Sequence, residues 1–277
     1  MPTTVAFKKT SAVTGNLEGQ SISWQCTALV NATVTEAPHR AVPHYGFGGT
    51  YIEFASCPPP AYATVTITTS FADALGLLTI LTTKTNFKPV RLHALFVDVI
   101  TNEETKTVET IELLPQYITL AFDMSNPSVS NISAYGPVVE RTTSTTKTIS
   151  QLSFPQPEYE LALTLQQTGT KNATTAATSN IENITLRANF VQDLILTSMG
   201  PYVRTYGIQA PELSVSGTTS DSALIKSINP VNNNAVLVIK SKAGKVNNIA
   251  FTVTNLSYEP LAGFKNLIRY NIQGLIT

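Results

Sequence analysis

Apolar and polar residues alternate with period two through most of the chain. In ATVTITTSF, Val65, Ile67 and Phe71 share a face; in QYITLAFDM, Ile118, Leu120, Phe122 and Met124 alternate with Tyr117, Thr119, Ala121 and Asp123. EYELALTLQQ sets Tyr159, Leu161, Leu163 and Leu165 against Glu158, Glu160, Ala162 and Thr164, and the pattern returns in AVLVIKSK, IAFTVTNL and LIRYNIQGLIT. Successive side chains of a strand point to opposite faces, so each segment predicts a strand with one buried face.

Turn residues punctuate these segments, among them Thr101-Asn102-Glu103-Glu104, Ser125-Asn126-Pro127-Ser128, Asn229-Pro230 and Lys242-Ala243-Gly244-Lys245. Short strands with regular turns predict an all-β chain, an antiparallel β-sandwich of jelly-roll or Ig-like kind. A break at Ser133-Ala134-Tyr135-Gly136-Pro137 divides the chain into 1–136 and 137–277, expected as two β-sandwich domains or the halves of a double sandwich. A second break around Pro211 allows a smaller third module.

Two segments carry a helical signal. SFADALGLLTIL offers Ser70 as an N-cap and Asp73 in the first turn, and RANFVQDLILTSMG places Phe190, Val191, Leu194 and Ile195 on one helical face. Both are expected as short helices or turns inside a β fold, with Val191-Gln192-Asp193 a further candidate turn.

Composition changes the picture of the surface. Charged residues make up 13% of the 277 residues, roughly half of the ~25% usual in soluble proteins, and about one residue in seven is Thr. The polar surface is therefore mostly hydroxyl and amide, weakly self-repelling and suited to packing against copies of itself. The formal charge is zero but unevenly laid out. From Asp98 to Asp123 the acids outnumber Lys106 to give net minus five, and from Ser222 to Thr277 the bases outnumber Glu259 to give net plus five. These segments are expected to meet within a molecule or between neighbours. The basic tail lacks interleaved Arg and aromatic residues, so direct nucleic-acid binding is not expected.

Candidate chemistry is sparse. HYGFGGTYIEF lacks phosphate-loop spacing and is expected to be a structural loop. His39, His44 and His93 show no spacing suited to a triad or a metal, and neither metal nor other cofactor is expected. Glu158 and Glu160 alternate with an apolar set, the pattern of a solvated face rather than of a glycosidase pair. No nucleophile elbow occurs, and no catalytic residue is assigned. Cys26 and Cys57 are either a disulfide closing a loop of about thirty residues or two separate thiols. Sequons stand at Asn31, Asn131, Asn172, Asn183 and Asn255; with 19 Asn, composition alone predicts about four, so the number shows no enrichment. The uncharged stretch from Gly169 to Asn180 is expected as an exposed connection between strands.

No signal peptide opens the chain and no apolar run reaches membrane-spanning length, which predicts a chain without a transmembrane segment. Synthesis in the cytoplasm and residence in a virion or at an extracellular surface are expected. The leading functional expectation is a non-enzymatic structural subunit of a virion, such as a capsid, vertex, turret or tail component. Its partners would be copies of itself and other structural proteins. The competing expectations are a glycan- or receptor-binding β module, or a surface-filament subunit, and a hydrolase with an unrecognised site.

Overall fold

The computed structural model describes residues 9–17, 23–26, 29–36, 44–45, 51–52, 61–82, 84–85, 88–89, 92–102, 107–125, 129–144, 159–167, 180–197, 200–220, 233–241, 246–264 and 266–276. Strands dominate them. In chain order they are β1 (Lys9–Leu17), β2 (Ser23–Gln25), β3 (Leu29–Glu36), the two-residue β4 (His44–Tyr45) and β5 (Tyr51–Ile52), and β6 (Tyr62–Thr69). Helix α1 (Phe71–Thr82) follows, then the two-residue β7 (Lys84–Thr85) and β8 (Lys88–Pro89), β9 (Leu92–Asn102), β10 (Thr107–Leu113) and β11 (Tyr117–Asp123). The remainder are β12 (Ser130–Ser144), β13 (Tyr159–Gln167), β14 (Asn180–Thr197), β15 (Gly200–Ile208), β16 (Glu212–Thr219), β17 (Asn233–Ser241), β18 (Val246–Pro260) and β19 (Ile268–Leu275).

Fifteen strands join in one antiparallel sheet, with β4–β5 and β7–β8 as separate small ladders. Its size follows from three long strands that change neighbours along their length. The first half of β12 lies between β6 and β11, and from Val138 onward it pairs with β10. Strand β14 runs between β11 and β16 up to Arg187, stays paired with β11 to Asn189, and then pairs with β15 from Phe190. Strand β18 pairs with β17 up to Thr252 and with β19 beyond it.

The division expected between residues 136 and 137 falls inside β12, at its change of partners. Tight packing marks the place: a Cβ on Gly136 would lie 1.9 Å from the Leu114 carbonyl oxygen, an approach only glycine permits. Leu114 N donates to Pro137 O, and Gln192 Nε2 donates to the carbonyls of Leu114 and Pro115, at 3.2 and 2.6 Å. Residues on both sides of the expected division pair directly, since Tyr117 to Asp123 lie along Asn183 to Asn189.

Of the two helical signals, one forms a helix and the other a strand. Over 71–82 the helix forms with the expected cap, Asp73 N donating to Ser70 Oγ at 3.2 Å. Over 188–197 no helix forms: β14 continues through this segment and pairs with β15, with a register shift at Val191/Gln192 where a turn was a candidate. Cross-strand bonding prevailed over an apolar spacing that suits either structure.

Alternation is realised as burial. In β6 the positions Ala63, Val65, Ile67 and Thr69 are buried, and in β11 Ile118, Leu120 and Phe122, while their neighbours are half-buried or exposed. Apart from Thr69, these inner positions join one apolar cluster with Phe71, Leu77, Leu78 and Leu81 of α1, which packs on the sheet through an edge-to-face contact of Phe71 with Phe122. Trp24 lies against α1 at Gly76, and its Nε1 donates to Asp73 O at 2.9 Å.

Candidate functional site

The outer face of the sheet carries the polar alternates of these strands, and antiparallel pairing sets them in rows. One row runs Thr119, Arg187, Glu212, Leu275 across β11, β14, β16 and β19. The next runs Thr185, Ser214, Gln273 and Asn255 across β14, β16, β19 and β18. On β18 an extra residue, Thr254, is inserted opposite β19, and its Oγ1 donates to Gln273 O at 3.3 Å. Such a bulge bends its strand and increases the local twist.

The result is an open groove of about 600 Å³, lined by Thr119, Thr185, Arg187, Glu212, Leu213, Ser214, Thr254, Gln273, Gly274 and Leu275. Four hydroxyls and one amide line it beside Leu213 and Leu275, with a single positive and a single negative side chain.

Beside the groove stands an aromatic ladder. Tyr62 stacks on Tyr135 and Tyr135 on Tyr117, each pair with ring centroids 5.5 Å apart and planes 24° apart. The Arg187 guanidinium covers the next position, 5.2 Å from the Tyr117 centroid, while its Nε donates to Asn189 Oδ1 at 3.1 Å. Each aromatic pair contributes about 0.5–1.5 kcal/mol beyond burial, and the cation–π contact about 0.5–1 kcal/mol. Burial raises the Tyr62 phenol above its ordinary pKa, helped by Tyr135, and a hydrogen bond with Gln116 opposes the shift. The faces of Tyr135 and Tyr117 are occupied within the chain, which removes them as flat platforms for a stacked ligand.

A second polar cluster lies in the core. Cys26 Sγ is 2.9 Å from Thr69 Oγ1, Thr69 Oγ1 donates to Asp73 Oδ2 at 2.9 Å, and Cys26 Sγ is 3.7 Å from the same oxygen. All three residues are buried, and the cluster ties the end of β6 and the residue after β2 to the first turn of α1. Cys57, which the sequence leaves as either a disulfide partner of Cys26 or a separate thiol, lies outside the described residues.

Of the sequons, Asn31, Asn131, Asn183 and Asn255 sit on strands with exposed side chains, and Asn172 lies outside the described residues, as does the connection expected from Gly169 to Asn180 except for Asn180 itself, which opens β14. Two of them are already engaged: Asn131 Oδ1 accepts from Thr68 Oγ1 at 3.0 Å, and Asn255 Nδ2 donates to Gln273 Oε1 at 3.4 Å. His44 pairs opposite Ile52 and His93 lies within β9, whereas His39 is outside the described residues. Asp98 accepts from Thr110 Oγ1 at 2.6 Å.

Ion pairs among the described residues include one member of the acidic segment, Glu109, and two of the basic segment, Glu259 and Arg269. Arg141 bridges Glu36 and Glu109, joining β12 to β3 and β10 in the chain's acidic region, and Arg269 pairs with Glu259 at 3.3 Å within the β18–β19 hairpin. Burial works against the Arg141 charge, but the hydrogen bonds and charges of the two glutamates outweigh it and raise its pKa.

Sequence reasoning missed the groove because its residues look like ordinary solvated strand positions. The one available signal was Arg187, a lone charge among the outward residues of ITLRANF. Among the described residues, no group of three His, Cys, Asp or Glu could hold a metal ion, and no helix is long and apolar enough to cross a membrane. The chain matches no protein-family model and no curated protein.

Proposed function

We propose that the chain is a structural subunit that works by repeated contacts with its own copies, a virion coat component whose sheet folds over its core as a jelly-roll sandwich. The observation that carries this reading is the β18–β19 hairpin. Along β18 the buried alternation stops after Val253, and residues 254–260 are exposed apart from half-buried Leu256. Tyr258 is 61% exposed and Phe264, at the hairpin tip, 64%. Beyond Thr252 the described partner of β18 is β19 alone. An arm with large apolar side chains in water and a strand edge to offer suits burial against a neighbour. The hydroxyl-rich, charge-poor face supplies a surface that repels its copies little. A stable contact of this kind buries on the order of 1,200 Å² or more.

Light scattering and electron microscopy of the purified chain test the reading. Concentration-dependent assembly is expected, lost when Tyr258 and Phe264 are both changed to Ser. A monodisperse monomer at high concentration, with neither particles nor filaments, would sink it.

A further inference from the structure

We propose that the groove across β11, β14, β16, β19 and β18 binds a neutral oligosaccharide, held by Arg187 and Glu212. This goes beyond assembly and does not depend on it. Arg187 and Glu212 stand directly opposite each other on neighbouring strands. The guanidinium is nevertheless directed onto the Tyr117 ring, and its Nε is taken by Asn189 Oδ1. Its two terminal nitrogens keep their donors for a ligand, in a fixed planar fork. The Glu212 carboxylate has no hydrogen-bond partner among the described residues, and its side chain lines the same wall.

A donor fork and an acceptor-only carboxylate held apart on one wall match a ligand that both accepts and donates through neighbouring hydroxyls. Charge selects among such ligands. An anion drawn to Arg187 is repelled by Glu212 and a cation the reverse, so the site favours a neutral molecule. Hydroxyls of Thr119, Thr185 and Ser214 extend the polar floor, and Leu275, 37% exposed, offers an apolar patch for a sugar's C–H face. The volume of about 600 Å³ falls in the ~300–1,000 Å³ range of small-molecule sites, and strand spacing makes the groove ~19 Å long across its five strands. That length suits a short oligosaccharide better than a single sugar.

Saturation-transfer NMR and calorimetry on the full chain, with maltotriose, cellotriose, mannotriose and triacetylchitotriose as probes, decide the matter. At least one probe is expected to bind with a Kd of about 1 mM or tighter. Glu212→Gln and Arg187→Lys should each weaken it by roughly tenfold, the first by replacing a charged acceptor with a neutral amide and the second by removing the planar donor fork. Glu140→Gln, at an exposed position of β12 away from the groove, should leave it unchanged. Arg187→Lys also disturbs the ladder, so Glu212→Gln is the deciding variant. The proposal is overturned if no probe binds, if binding survives Glu212→Gln, or if groove substitutions alter oligomeric state while sugar binding stays the same.

Discussion

At the residue scale, two positions carry consequences out of proportion to their size. Gly136 sits where β12 changes partners, and any Cβ there meets the Leu114 carbonyl oxygen at 1.9 Å. Backbone oxygen cannot rotate away as a side chain can, so Gly136→Ala is expected to lower stability by about 1–3 kcal/mol or more, read from chemical denaturation. Asp123 closes the turn after β11 by accepting from Ser125 N at 2.9 Å and Ser125 Oγ at 2.6 Å, and these bonds hold its carboxyl below the usual pKa. The associated stability is present above the unfolded-state pKa and is lost as pH falls through the lowered folded value. An NMR titration should find the Asp123 carboxyl depressed, and Ser125→Ala should move it back toward the ordinary value. An unshifted carboxyl in the parent chain would contradict the turn geometry.

At the scale of elements, alternation was legible wherever one face of a strand meets the core. Strands β6, β11 and β17 bury every second residue, and that contrast is what the eye finds in their sequences; β16 buries alternate residues too, although the sequence around Pro211 reads as a break. The helix was legible through its cap: Ser70 and Asp73 mark the N-terminus that the backbone adopts. Ser70→Ala is expected to cost about 1 kcal/mol, measured by thermal or urea unfolding, with little change in the sheet. The second half of β14 was ambiguous because Phe190, Val191, Leu194 and Ile195 fit a helical stripe as well as a strand; pairing with β15, remote from any single-residue preference, decided it. The far half of β18 is a different case. With both faces largely in water, it has no burial contrast for a periodic pattern to record, and its pairing is evident only from β19.

At the scale of the whole molecule, the order of strands was not legible. Strand β11 sits between β12 and β14, and β16 between β14 and β19, so the sheet joins segments far apart in the chain. The groove inherits this: Thr119, Arg187, Glu212 and Gln273 become neighbours only through that order, and no local spacing brings them together. The Tyr62, Tyr135 and Tyr117 ladder has the same origin. The single tryptophan of the chain follows from a similarly distant contact, since Trp24 reaches Asp73 across β2 and α1. Its placement gives the molecule an internal optical label. Indole emission reports on whether β2 remains docked on the helix, while the difference in near-ultraviolet dichroism between the parent chain and Tyr135→Phe isolates the stacked tyrosines where β6, β12 and β11 meet. Two wavelengths thus watch two regions of one sheet, and their agreement or divergence during unfolding reveals whether helix and outer ladder separate as a unit.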